Sequence, residues 1–113
     1  MYMVMLGYSF SPQWLALPRS ERQRLKAAHI TPLVEKYADR VRVRFFDAEA
    51  FQTRFSDFAL METEDLTAYY YLVEEIRDSP LVGQGYLTFQ DIVLGIEDGH
   101  GRFERDLATG PAA

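Results

Sequence analysis

The run Val41-Arg-Val-Arg-Phe-Phe-Asp47, followed by Ala48-Glu-Ala-Phe51, Ser56-Asp-Phe-Ala-Leu-Met61 and Glu62-Thr-Glu-Asp-Leu-Thr-Ala-Tyr-Tyr-Tyr71, decides the fold. Its first part alternates with period two, Val41, Val43, Phe45 and Asp47 on one face and Arg42, Arg44 and Phe46 on the other, which is the signature of a strand. Asp57 to Glu62 reads as a second strand, reached through an acidic connection. Thr63 then predicts an N-cap for a helix whose first turn carries Glu64 and Asp65, favourable at the positive end of the helix dipole. Leu66, Tyr69, Tyr70, Val73 and Ile76 mark its inward face. Strand, strand, helix is half of a split βαβ unit.

The flanks supply the other half. Tyr2 to Phe10 is apolar on both alternation phases and predicts a strand covered on both sides. Ser11-Pro12 and Leu17-Pro18 are breakers with Trp14 and Leu15 between them. From Pro18 to about Ala38 the pattern is helical, with Leu25, Ala28, His29, Pro32, Leu33 and Tyr37 on one face. Pro32 cannot donate to the Ala28 carbonyl, so a kink or restart is expected near His29 to Thr31. On the other side, Ser79-Pro80 stops a helix, Gly83 and Gly85 make a turn, and Tyr86 to Leu94 predicts the last strand. Gly95 to Glu104 reads as a further helical turn. The expected organisation is a single domain over residues 1–105 with a flexible tail over 106–113.

Strand, helix, strand, strand, helix, strand gives an α+β, ferredoxin-like fold: a four-stranded antiparallel sheet in spatial order 4-1-3-2 with both helices on one face. On the open face the alternation places Met3, Met5, Phe46, Phe58, Leu60, Leu87, Phe89 and Val93. So large an apolar patch is rarely left wet, and a homodimer is expected, two sheets face to face as a dimeric α+β barrel.

At 113 residues, 48% hydrophobic and with a net charge of −5, the chain reads as one globular domain. The negative balance, without a basic stripe interleaved with aromatics, argues against nucleic acid and against an anionic membrane surface. The absence of cysteine removes disulfides, thiolate nucleophiles and cysteine-held metals. Met1 leads directly into strand sequence with no basic stretch and no cleavage site, and no apolar run approaches a bilayer span, so a cytoplasmic location is expected.

Four groups of residues carry chemical interest. His29 has a near-neutral imidazole on the inward helix face, suited to acid, base or ligand work, against the plainer reading of a core-edge histidine satisfied by the carbonyl that Pro32 frees. A haem or metal site is not expected, because His100 is the only other histidine. Asp47 and Asp57 flank the connection between two strands, and in the simplest register (42 opposite 62, 44 opposite 60) they face one another. Such a pair raises one carboxyl pKa, as acid–base chemistry requires, unless both only cap the loop. That register sets Arg42 against Glu62. Arg44 then either pairs across a dimer or meets an anionic ligand. Tyr8, Trp14, Tyr69 and Tyr70 are candidates for an aromatic pocket, although aromatics at helical spacing are more often core. Trp14, between two prolines, is placed as a lid. No nucleophile elbow surrounds any serine, and Gly83-x-Gly85 is too short for a dinucleotide loop.

Pro12-Gln-Trp-Leu-Ala-Leu17, Arg44-Phe-Phe-Asp-Ala-Glu-Ala-Phe51, Ser56-Asp57, Glu62-Thr-Glu-Asp-Leu-Thr-Ala-Tyr-Tyr70, Arg77-Asp-Ser-Pro-Leu81 and Gly95-Ile-Glu-Asp-Gly99 together resemble the darcynin family over nearly the whole chain. That family consists of small bacterial domains of unassigned function, so the resemblance implies no catalytic residue. It does imply a fold similar to the dimeric α+β barrel group, in which cofactor-free oxygenases, isomerases, cyclases and haem proteins occur with pockets between sheet and helices. The resulting expectation is an enzyme or binding protein for a small apolar or aromatic metabolite, without a cofactor. In it His29, Asp47 and Tyr70 are catalytic, and Tyr8, Trp14, Arg44, Asp57 and Tyr69 bind substrate. The alternative is a non-catalytic dimeric ligand-carrying or stress-related module.

Overall fold

The computed structural model describes residues 1–109. Strand β1 (Tyr2–Phe10) leads through the short helix α1 (Pro12–Leu15) into α2 (Arg19–His29) and α3 (Thr31–Lys36). Strands β2 (Val41–Asp47) and β3 (Asp57–Thr63) follow, then α4 (Leu66–Arg77), α5 (Pro80–Gly83), β4 (Leu87–Ile96) and α6 (Gly99–Thr109). All pairings are antiparallel and the sheet order is β2-β3-β1-β4, the ferredoxin-like arrangement that the element order dictates.

Local chemistry sets the boundaries. Pro32 ends the hydrogen-bond run of α2, and the restart falls at Ile30, after which Thr31 opens α3 with the proline in its first turn. Helix α4 begins two residues later than Thr63 predicts: the Asp65 carboxylate accepts from Ala68 N at 3.0 Å. Thr63 is instead buried, donating to the Arg40 carbonyl at 2.7 Å. The inward face of α4 is Ala68, Leu72, Val73 and Ile76, and Tyr70 points outward, 60% exposed. The helices bury Val4 and Leu6 of β1, Val41 of β2 and Ala59 and Met61 of β3. Each full burial of a large aliphatic among these is worth about 1.5–3 kcal/mol.

Strand β4 departs from simple alternation. Gly7 pairs with Asp91 but Tyr8 pairs with Phe89, so Gln90 is an extra residue in a β-bulge. Leu87 and Phe89 therefore point to the helix side, Leu87 into the core, rather than to the open face where unbroken alternation puts them. Beyond the bulge, Ile92, Leu94 and Ile96 take the helix side and Val93 the open side. The open face carries Met3, Met5 and Leu60, with Phe46 stacked on Phe58 at 4.9 Å. Phe55 packs edge-on against Phe58 and closes over Gly7.

Asp106 to Thr109, expected in the tail, belong to α6, and 110–113 lie outside the described residues. Among the described residues no helix is long and apolar enough to cross a membrane.

Candidate functional site: an apolar pocket ending in an acidic corner

Three strands contribute one polar residue each to a single row. Register pairs Asp47 of β2 with Asp57 of β3, and Asp57 with Tyr8 of β1, so the three side chains stand side by side on the helix face. The β2–β3 connection is drawn tight around them. Ala48 N donates to the Ser56 carbonyl at 2.9 Å, and Ser56 N donates to the Tyr8 carbonyl at 3.1 Å. Ser56 Oγ donates to Asp57 Oδ2 at 2.6 Å, which orients that carboxylate.

This row forms one wall of a cavity of about 320 Å³ between sheet and helices, within the usual range for small-molecule sites. Its floor is apolar, including Leu6, Met61, Ile76 and Leu81. Phe45, half exposed, and Lys26 stand at its edge. Sequence reasoning passes over Lys26, which reads there as one of the solvated charges of α2. Its ammonium lies 5.3 Å from the Phe10 ring centroid and 5.9 Å from that of Trp14, an attraction to the ring faces that lays the side chain toward the cavity.

Burial raises the pKa of Asp57, and the facing carboxyl of Asp47 and the charge of Glu49 push it further up against the lowering effect of Ser56. The Tyr8 phenol is likewise raised, by burial first and then by Asp57 and Asp47, so it stays a hydrogen-bond donor at any ordinary pH. One oxygen each of Asp47, Glu49 and Asp57 lies within 4.8 Å of the other two. With no nitrogen or sulfur donor beside them, these three carboxyl groups do not make a set suited to zinc or copper.

The raised pKa of Asp57 has a defined effect on stability. A carboxyl whose folded pKa exceeds its unfolded value favours the native state below the unfolded pKa, and that contribution is lost as pH rises through the folded pKa. Asp47→Asn removes a neighbouring charge and part of the loss. Its melting temperature relative to wild type should therefore be higher at about pH 7.5 than at about pH 3.5. Parallel melting curves for the two proteins across that range would show that the carboxylates do not interact.

The remaining expected site residues are placed elsewhere. His29 lies in a separate shallow cleft with Pro32, Leu33, Glu75, Asp78 and Ser79. Trp14 is 2% exposed, stacked on Phe10 at 4.9 Å, and is core rather than lid. Arg44 pairs with Glu62 of its own chain at 2.9 Å, on the open face, while Arg42 only stands opposite Glu62 in register. Tyr69 packs against the core, where burial raises its pKa, and Tyr70 meets Tyr71 edge-on at the surface.

The Darcynin family, described as a domain of unknown function, matches residues 1–109. The chain belongs to the darcynin family. A darcynin of Chromobacterium violaceum is 47% identical over 77 residues, 68% of this chain and 96% of that protein. Darcynin 1 of Acinetobacter baumannii is 41% identical over 90 residues, 80% of this chain and 99% of that one. Among solved structures, a heme-binding protein from Thermus thermophilus superposes with a TM-score of 0.78 at 22% identity, over 90% of this chain and 43% of that one. Chlorite dismutase from Candidatus Nitrospira defluvii, solved with imidazole, gives 0.74 at 16% identity over 83% of this chain and 38% of its own. At such identities the likeness concerns the fold alone. The darcynin chain spans about two fifths of the length of these two structures.

Proposed function

We propose that this darcynin binds a small apolar or aromatic metabolite in the cavity between sheet and helices and moves a proton on it. The reading rests on one observation: the Asp47–Asp57–Tyr8 row forms the acidic wall of a pocket with an apolar floor, with Lys26 and Thr31 also among its lining residues. A carboxyl pair sharing a proton can take a proton from carbon beside a carbonyl and return one to another atom. The Tyr8 hydroxyl, held protonated, would donate to the oxygen where negative charge gathers. Isomerisation or cyclisation of an enolisable substrate is within such a set, and no cofactor is required for it. Asp57 and Asp47 are the catalytic residues of this proposal; His29 and Tyr70 are not, because neither lines the cavity.

Haem, which the Thermus neighbour is named for binding, does not suit these residues. Among the described residues lining the cavity there is no imidazole, the Tyr8 phenol is held away from the phenolate that iron would take, and two carboxylates would face the anionic edge of the porphyrin. We also propose a homodimer through the open sheet face, supported by Met3, Met5, Leu60 and the Phe46–Phe58 pair.

The test is thermal stability across enolisable aromatic acids and phenols. A ligand at 100 times its Kd stabilises the native state by about 2.7 kcal/mol. The expected result is a shift retained in His29→Ala and reduced in Tyr8→Phe, with proton–deuterium exchange into the ligand lost in Asp57→Asn. Binding that survives Asp57→Asn without exchange in either protein would reduce the role to ligand carriage.

A further inference from the structure

Helix α6 has no place to rest in its own chain. None of its residues is buried, and Phe103 and Leu107, one turn apart, stand 57% and 48% exposed. The molecule measures 60 × 30 × 18 Å with a radius of gyration of 17.2 Å, whereas a compact domain of this length has about 13 Å. Eleven residues are also too few for a stable isolated helix in water, so α6 needs an apolar surface to rest on.

A matching surface exists on β4. Ile92, Leu94 and Ile96, carried to the helix side by the bulge, are each about half exposed, and β4 is an edge strand paired only with β1. The junction keeps α6 from folding back onto that strip. Asp98 adopts φ 50, its carbonyl accepts from Arg102 N at 3.0 Å, and its carboxylate pairs with Arg105 at 3.1 Å. Gly101 packs directly on the Asp98 carboxylate, where a Cβ would collide. At the other side of the turn, Glu97 N donates to the Met1 carbonyl at 2.9 Å, fixing the strand end.

Two unpartnered apolar surfaces in one chain, held apart by a fixed junction, satisfy each other across a two-fold axis. We propose that α6 is an exchanged arm: Phe103 and Leu107 of each copy seat on Ile92, Leu94 and Ile96 of a second copy of this chain. The contact is isologous, each copy giving one arm and receiving one. It also covers an apolar edge strand that would otherwise invite uncontrolled association. The inference deepens the homodimer proposed above and is separable from it.

The test is sedimentation velocity on the full chain, its Phe103→Glu/Leu107→Glu variant and, independently, Leu94→Glu, each checked for native melting by circular dichroism. The expected result is a dimer for the wild type and, for either variant, self-association weakened by about tenfold or more at unchanged fold. A dimer of undiminished affinity in both variants overturns the arm exchange and leaves the sheet-face dimer standing. A wild-type monomer overturns both.

Discussion

Trp14→Ala should cost about 3–5 kcal/mol of unfolding free energy, the range for emptying a large aromatic site in a core. The indole is enclosed by Phe10 stacked at 4.9 Å and Tyr86 tilted at 5.7 Å, with Lys26 over its ring. Its backbone is held as well, Trp14 N donating to Ser11 Oγ at 3.2 Å. A domain of this size has only about 5–15 kcal/mol to lose, so the variant should melt at least 10 °C or so below wild type. A lid would behave otherwise, weakening ligand binding while leaving the melting point nearly still. Chemical denaturation of the unliganded proteins separates the two, and a midpoint unchanged in Trp14→Ala would contradict the burial of the indole.

Gly7→Val should destabilise by about 1–3 kcal/mol, through overpacking rather than backbone strain. A Cβ at this position would stand 2.7 Å from Cδ1 and 2.8 Å from Cε1 of Phe55, and the ring is itself buried and braced against Phe58. The ring cannot withdraw without moving the connection that carries it. That connection leads through Ser56 into Asp57, so the strain should also reach the acidic corner and lower ligand affinity. The cause is checked by a double-mutant cycle. In a Phe55→Ala background the same Gly7→Val change should cost markedly less, and a cost equal in both backgrounds would place the clash elsewhere.

The parts of the fold legible in the sequence are those where local pattern and tertiary packing agree. Val41 to Asp47 alternates because one face turns to the helices, with Val41 buried and Val43 half-buried there, and the facing of Asp47 and Asp57 follows from that alternation plus a tight connection. Pro32 announces the restart between α2 and α3 by chemistry alone. The parts that are not legible each depend on a long-range event. Trp14 sits between two prolines like a loop residue, and only the approach of Phe10 and Tyr86 makes it core. Asp65 rather than Thr63 caps α4, the Thr63 hydroxyl being engaged by the Arg40 carbonyl across the β2 entry, and Tyr70 lies outward because the face that packs runs through Ala68, Leu72 and Ile76. Arg44 reaches Glu62 diagonally rather than straight across the ladder. His29 faces inward on a continuous helix, but the break after it directs it to a different cleft from the one the carboxylates serve.

Gln90 gives β4 two halves that answer to opposite conventions. Odd-numbered positions before it and even-numbered positions after it look the same way, so the bulge acts as a phase shifter within a single strand. Substituting a side chain on either side alters one contact, whereas deleting one residue at the bulge would invert every contact downstream of it. Aspartate would then face the floor of the sheet, and the three aliphatics that await a partner would look away from it. For this strand, length at one position carries more structural information than the identity of any residue along it.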